Sequence, residues 1–361
     1  MAMESTTLYE GLLALASGHL SLAEESYKVV ALECRSVALN KLAAAISRPS
    51  NQITDHETNV AACLALVVGD VSTGNCLGWY AHLSGAKQII VSAAARSNTG
   101  RALHGPEVFK ENPEGRWILR NFAYHDIIGS VTMRRKPLLS PAYLDGITDI
   151  VDSYVGVATG LLEYISQINC LDEETRIDDC MTDEEVQRRT SEFHGTCAAL
   201  EQGLLAWSCP PNAQEYLDSM AYTFRAAVLI LLYRLARARL EDRGHGSASA
   251  SGPWVRDMLR LKIRTQVYEI LSRVGDIPPG ATAESALLFP LFIAGGEATE
   301  DDQMEFVRLR LETTLQKRKF QNIGKALEIL GDLWSLRKSR GGESVDWTQV
   351  LEASGGTLLL T

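Results

Sequence analysis

Hydrophobic residues recur at helical spacing along nearly the whole chain. In residues 22–46 large apolar side chains repeat every three or four positions, and the stripe ends at Pro49. Further segments of this kind, separated by Gly, Pro or Asn, are 57–69, 76–95, 114–133, 147–167, 183–206, 213–242, 253–274, 281–294, 300–318 and 321–339. We find no strand-like alternation. The pattern predicts an all-α fold, with about a dozen antiparallel-packed helices forming one large helical body over residues 1–361.

Two polar stretches interrupt this pattern. Residues 169–182 are acidic and poor in large apolar side chains, so we expect an exposed loop that divides the body into residues 1–168 and 183–361. Residues 244–253, GHGSASASGP, have the composition of a flexible linker. We assign neither stretch a catalytic role.

Composition and charge narrow the class of protein. The chain is 46% hydrophobic and 22% charged, which is typical of a globular protein. Its formal net charge of -10 opposes nucleic-acid binding through overall electrostatics. The most apolar segments, 226–233 and 285–296, are shorter than the ~20 residues of a bilayer span, and the N-terminus lacks a basic leader. We therefore expect no membrane partner and no signal peptide.

The seven cysteines do not form a metal-binding motif. They stand at 34, 63, 76, 170, 180, 197 and 209, and no two are close enough for a CxxC pair. An odd number of widely spaced cysteines fits a reducing compartment. The sequence predicts no metal ligand and no cofactor.

One acidic cluster has two interpretations. Asp301, Asp302 and Glu305 spell DDxxE, a carboxylate set that can hold magnesium against a diphosphate in all-α terpene and prenyl enzymes. Carboxylates at a helix start also oppose its positive dipole end, and Thr299 lies three residues before Asp302, as in a capping box. The second metal motif of such an enzyme is missing. We therefore favour the interpretation that these carboxylates stabilise a helix start and do not bind magnesium.

Other catalytic patterns are missing too. The chain contains no GxSxG, GxxxxGK[ST] or HExxH motif and no GxGxxG after a strand. Five of the seven histidines fall on helical stretches, where a structural role is the commoner one. We predict no catalytic residue and no enzyme activity.

Five stretches combine small residues with aromatic or acidic ones. They are LLALASGHLSLAEESYKVVALECRSVALNKL (12–42), GWYAHLSGAKQII (78–90), RNFAYHDIIGSVTMRRKPLL (120–139), LLFPLFIAGGEATEDDQMEFVRL (287–309) and a tail with Asp346-Trp347 and LEASGGTLLLT. Together they cover nearly the whole chain. In this order they resemble the C-terminal regulatory region of fungal zinc-cluster transcription factors, whose DNA-binding module holds two zinc ions with six cysteines.

The resemblance implies a regulatory domain that senses an effector and dimerises. The six-cysteine cluster is absent from this chain, so we expect a piece of a longer polypeptide that contacts DNA only through that cluster and ends at a native C-terminal Thr361. It also implies transcriptional coregulators as partners, a homodimer, and localisation in the nucleus, with exchange to the cytoplasm left open. One sterol-responsive branch of the family binds a lipid. The expected effector is a small, largely apolar molecule.

We place the ligand among aromatic residues of the C-terminal half. The candidate ligand-binding residues are Tyr222, Phe224, Arg225, Phe289, Phe292 and Trp334. We predict a regulatory elbow at Gly295 and Gly296, between an apolar helix and an acidic one. Two alternatives remain open: a magnesium-dependent all-α enzyme of terpene or prenyl type, and a passive helical scaffold.

Overall fold

A computed structural model describes most of the 361 residues. The described ranges are 4–75, 78–97, 99–148, 151, 155–175, 181–210, 216–243, 252–340, 345–355 and 357–361. The acidic residues 176–180 and most of the predicted linker, 244–251, lie outside them.

Within these ranges the protein is all-α, as predicted. The thirteen α-helices are α1 (Thr6–Ala23), α2 (Lys28–Ile46), α3 (Ile53–Thr73), α4 (Gly78–Ser92), α5 (Pro113–Met133), α6 (Leu161–Glu174), α7 (Asp183–Ala206), α8 (Leu217–Arg243), α9 (Gly252–Gly275), α10 (Leu288–Glu297), α11 (Asp301–Arg318), α12 (Gln321–Ser339) and α13 (Trp347–Ala353). Short 3-10 helices span Glu25–Tyr27, Gly105–Lys110, Pro141–Leu144 and Thr282–Ala286.

A small β-hairpin was not predicted. Strands β1 (Ala94–Arg96) and β2 (Ala102–His104) pair antiparallel, with Ala95 opposite Leu103. Both of these side chains point into the core. Strands of three residues are too short for alternation to appear in the sequence.

Three sequence-based boundaries are wrong. The acidic stretch 169–182 is not a loop throughout, because α6 continues to Glu174. The predicted helix 147–167 is displaced, since α6 begins only at Leu161. The predicted linker 244–253 ends early, because α9 begins at Gly252.

Several helix starts follow from local chemistry. Asn112 caps α5 by accepting a hydrogen bond from the Gly115 N–H at 2.7 Å, and Pro113 occupies the first helical position. Thr182 and Glu185 form a reciprocal capping box at the start of α7. These caps set the starts of α5 and α7.

Helix α10 lies at the centre of the C-terminal half. All ten of its residues are buried, and it packs against α8, α9, α11 and α12. Among the described residues, α8 alone is long and apolar enough to span a bilayer, but its most apolar window is 72% buried within the protein. In this fold α8 is a core helix.

The last residues of the chain pack into the body. Leu358, Leu359 and Leu360 are buried, and the Thr132 hydroxyl of α5 donates to the Leu358 carbonyl. Asn322 of α12 donates to the Leu359 and Thr361 carbonyls at 3.1 and 3.0 Å. The tail therefore joins α5 to α12.

Candidate functional site

The six predicted ligand-binding residues lie in three separate places. Phe224 and Phe289 stack at 5.6 Å between ring centroids and are fully buried between α8 and α10. Phe292 packs edge-on against Trp347 at 5.3 Å. These three phenylalanines belong to the helix-packing core.

Tyr222 and Arg225 lie on another part of α8. The Tyr222 ring packs edge-on against Trp207 at 5.9 Å, and Arg225 donates to the Trp207 carbonyl at 3.2 Å. Arg273 of α9 also lies over the Tyr222 ring, 4.7 Å from its centroid. This cluster fixes the segment after α7.

Trp334 and the predicted elbow meet at the end of α10. Gly295 and Gly296 lie inside this helix and have no positive φ, so the chain does not turn at them. Trp334 Nε1 donates to the Gly295 carbonyl at 2.9 Å, and Arg337 donates to the Gly296 carbonyl at 2.7 Å. A Cβ at Gly296 would lie only 2.6 Å from Trp347 Cδ1. Close packing, rather than backbone strain, is what requires small residues here.

The acidic cluster is placed at the start of α11. Its capping box is formed by Glu300 and Gln303, so the predicted pairing of Thr299 with Asp302 is wrong. Glu305 is held by Arg308, 2.5 Å from the guanidinium. The described residues contain no group of three or more His, Cys, Asp or Glu side chains placed to hold a metal ion.

A partly enclosed cavity, which we call the α10 cavity, lies between α3, α5, α10, α11 and α12. Its volume is about 220 Å³. Most of its wall is apolar: Val68, Val71, Leu287, Leu288, Leu291, Leu311, Phe320 and Ile323. Thr361 closes one side, so the docked tail forms part of the wall.

A few polar groups line the α10 cavity. Asn322 is 5% exposed and uses its Nδ2 on the tail, while its Oδ1 is buried and accepts no hydrogen bond within the described structure. His125 Nδ1 lies 3.0 Å from the Thr361 hydroxyl. Burial lowers the pKa of His125 to about 3, so its imidazole is neutral at pH 7. The lining also includes Glu284, Thr314 and Arg318, so the wall is mostly apolar with several polar and charged groups.

A second, open cleft lies at the other end of α10. We call it the basic cleft; its volume is about 770 Å³. Its charged and aromatic lining includes Arg237, Arg260, Arg264, Trp334, Arg337 and Lys338, together with Glu297, Asp301 and Asp346. The cleft is moderately basic in a chain of net charge -10.

A buried ion network supports this cleft. Arg234 bonds both Glu297 and Asp346, and Arg237 bonds Glu297 at 3.1 Å. Asp346 also accepts from the Thr348 N–H and thereby caps α13. Burial alone would raise the pKa of Asp346, but Arg234 and the Thr348 donors lower it to about 2. The network ties α8, α10 and α13 together.

Sequence reasoning missed His125, Asn322 and Thr361 as cavity residues. These residues are far apart in the chain, and each reads alone as an ordinary helix or tail residue. No local signal marks this part of α5 as fully buried. Residues 120–132 carry polar side chains on every face, which is not the pattern of a buried helix, yet all of them are buried.

Comparisons with known proteins give one family. The model of the fungal specific transcription factor domain matches residues 1–361. An uncharacterized transcriptional regulatory protein of Schizosaccharomyces pombe is 22% identical over 310 residues, which are 83% of this chain and 54% of that protein. This chain therefore spans about half the length of that relative. No solved structure matches significantly.

Proposed function

This chain belongs to the fungal specific transcription factor domain family, and we propose that it is the effector-sensing and dimerising part of a fungal zinc-cluster transcription factor. It acts in the nucleus, without catalysis, and passes ligand occupancy to transcriptional coregulators. DNA recognition belongs to a zinc cluster outside these residues.

The observation that carries the sensing role is the α10 cavity. Enclosed apolar space with a few polar groups is the usual form of a small-molecule site. At about 220 Å³ it is of the same order as the ~150 Å³ cavity that binds benzene in an engineered protein. The expected effector is therefore compact and largely apolar.

The unsatisfied Asn322 Oδ1 favours a ligand with one hydrogen-bond donor. A buried acceptor without a partner costs roughly 1–3 kcal/mol, and a ligand hydroxyl or amide N–H would recover it by drawing the Asn322 amide oxygen to the cavity surface. Neutral His125 adds no charge to the wall, and the formal charges of Glu284 and Arg318 in the lining are opposite. A neutral ligand is therefore the favoured class.

Helix α10 supplies a route from the cavity to the surface. Leu288 and Leu291 line the α10 cavity, whereas Glu297 at the other end of the helix lines the basic cleft. Gly295 and Gly296 lie between them, pressed against Leu330 and Trp347. A small displacement of α10 on ligand binding would move the basic cleft, which we propose as the surface read by coregulators.

Binding can be tested with two probes of nearly equal shape. Benzyl alcohol carries one hydroxyl donor and ethylbenzene carries none, so we expect both to raise the melting temperature and benzyl alcohol to raise it more. Val71→Phe, which fills the cavity, should reduce both shifts. Val91→Phe makes the same change at a half-exposed position of α4 and should leave them unchanged.

The native effector can be sought by mass spectrometry of small molecules extracted from the purified chain. A compound that copurifies with Val91→Phe but not with Val71→Phe would support the proposal. If no compound copurifies and neither probe shifts the melting temperature, the sensing role is refuted and the passive scaffold is the remaining alternative. Magnesium-dependent diphosphate turnover would instead favour the enzyme.

Regulation can be tested in the intact factor. Gly295→Asp and Gly296→Asp should change reporter output while promoter occupancy stays constant, because they disturb the end of α10 and not the DNA-binding module. Unchanged output in folded protein from both variants would remove these glycines from the regulatory mechanism.

A further inference from the structure

The helical hairpin formed by α1 and α2 exposes an unusual number of large apolar side chains. Of the twenty that are exposed in the described residues, eleven lie between positions 9 and 46: Tyr9, Leu12, Leu13, Leu20, Tyr27, Val29, Val30, Leu32, Val37, Leu39 and Ile46. Isolated exposed apolar residues are normal, but a concentration of this size marks an interaction surface.

On α2 part of this surface follows a heptad pattern. The pattern consists of Val29, Leu32, Ser36, Leu39, Ala43 and Ile46, which are spaced by alternating steps of three and four residues. All six are exposed, and Leu32 reaches 68%. A neighbouring face of α2 buries Ala38 and Leu42. We call these six residues the α2 seam.

Helix α1 repeats the spacing. Tyr9, Leu13, Ala16, Leu20 and Ala23 are exposed at alternating steps of four and three. The helix contains one acidic residue, Glu10, one histidine, His19, and no Lys or Arg. Steps of three and four place apolar groups along the line where a second helix crosses at about 20°. Both helices of the hairpin are thus patterned for further helices to pack on them.

We propose that the α1–α2 hairpin packs against the same hairpin of a second copy of this chain, forming a four-helix interface. This inference deepens the dimerising role proposed above and assigns it a surface. Seven large side chains lie on these two patterns and are between 37% and 68% exposed: Tyr9, Leu13, Leu20, Val29, Leu32, Leu39 and Ile46. They present on the order of 700 Å² of surface, close to what one partner contributes to a stable interface of standard size. A small-molecule effector is too small to bury a surface of this extent.

One charge pair beside the α2 seam fits self-pairing. Lys28 and Glu33 lie on opposite flanks, five residues apart, and both are exposed; Lys28 also pairs with Glu25 of its own copy at 2.7 Å. In a parallel pair of α2 helices around a twofold axis, Lys28 of each copy faces Glu33 of the other. Val29 followed by Leu32 is the combination preferred by two-stranded parallel pairs, whereas Ser36 and Ala43 occupy the later positions equivalent to Val29.

The test compares two leucines of nearly equal exposure. Leu32 is 68% exposed in the α2 seam, and Leu261 is 64% exposed on α9. Analytical ultracentrifugation of the 361-residue chain should show a dimer, with Leu32→Glu weakening it at least about tenfold and Leu261→Glu less than about twofold. Circular dichroism of each variant, diluted to the monomer, should show unchanged folding.

The outcomes separate the surface from the role. A wild-type chain that stays monomeric up to about 100 μM would overturn both the dimerising role and its surface. A dimer that Leu32→Glu leaves intact, or that Leu261→Glu weakens equally, would overturn the surface alone. Neither result bears on the α10 cavity, whose test uses small-molecule probes.

A charge exchange tests the parallel arrangement. In a Glu25→Gln background, which removes the partner of Lys28 within its own copy, Lys28→Glu should weaken the dimer. Adding Glu33→Lys should restore it, because the exchange rebuilds both pairs across the twofold axis. Failure of the double variant to recover would overturn the parallel pairing.

Discussion

Replacing Gly296 with alanine should destabilise the protein, although alanine is the better helix former. A Cβ at this position would lie 2.6 Å from Cδ1 and 3.3 Å from Nε1 of Trp347. Carbon atoms pack best at about 3.5–4.0 Å, so the indole would have to move by about 1 Å. Trp347 is 2% exposed, packs against Phe292 and lies 5.0 Å below the Arg234 guanidinium, which leaves it little room.

The expected magnitude follows from two opposing effects. Overpacking a core costs about 1–3 kcal/mol. Replacing glycine within a helix by alanine returns about 0.5–1 kcal/mol. The net loss in the free energy of unfolding should therefore be about 1–2 kcal/mol. Gly331 of α12 provides the control, because a Cβ there meets no heavy atom within 4 Å. Gly331→Ala should stabilise by about 0.5–1 kcal/mol.

The two variants can be compared by urea unfolding followed by circular dichroism. If the slopes agree with that of the wild type, the midpoints report stability directly. We expect Gly296→Ala below the wild type and Gly331→Ala above it. Equal midpoints for the two variants would refute the packing argument and leave Gly296 without a structural reason to be glycine.

Three further predictions follow from the described contacts. Asp346→Asn should lower the free energy of unfolding by about 2 kcal/mol at neutral pH, because the folded pKa of Asp346, about 2, lies below its unfolded value. This contribution is present above about pH 4. In urea unfolding, the difference between the variant and the wild type should therefore shrink as the pH falls toward 2. The His125 imidazole should not titrate between about pH 5 and 8, because burial lowers its pKa to about 3, and a midpoint near 6.5 in its nuclear magnetic resonance signals would contradict this burial. Thr182→Ala should lower the free energy of unfolding by about 1 kcal/mol, because it removes the cap of α7. Thr299→Ala should change it by less than about 0.5 kcal/mol, since Thr299 caps no helix. Equal losses for the two variants would show that Thr299 caps α11.

Two helices could be predicted to the residue at both ends, although only α7 has a side-chain cap at its start. The sequence predicts helices over 183–206 and 321–339, the bounds observed for α7 and α12. The end of α6 was missed because its acidic composition reads as a solvated loop. In the structure Lys136, from the segment after α5, lies 3.6 Å from Glu174 and offsets that charge. A pairing across some forty residues of chain leaves no local signal.

The candidate site was harder to predict for the same reason. Buried aromatic residues were a reasonable first choice, but Phe224, Phe289 and Phe292 fill the core by packing on one another and on Trp347. The α10 cavity depends instead on where the packing leaves space, and its polar wall joins His125 to Asn322 and Thr361. Only the assembled fold determines such a space.

The docking of residues 358–360 between α5 and α12 bears on how the chain would behave if it were cut. The contacts of the tail with α5 join positions more than two hundred residues apart, and they link the two predicted halves, 1–168 and 183–361. Closing so long a loop costs only about 0.6 kcal/mol more for each doubling of its length, so burial of three leucines can offset it. Cleavage near residue 178 should therefore yield two fragments that remain associated and, after separation in denaturant, regain the fold only when mixed.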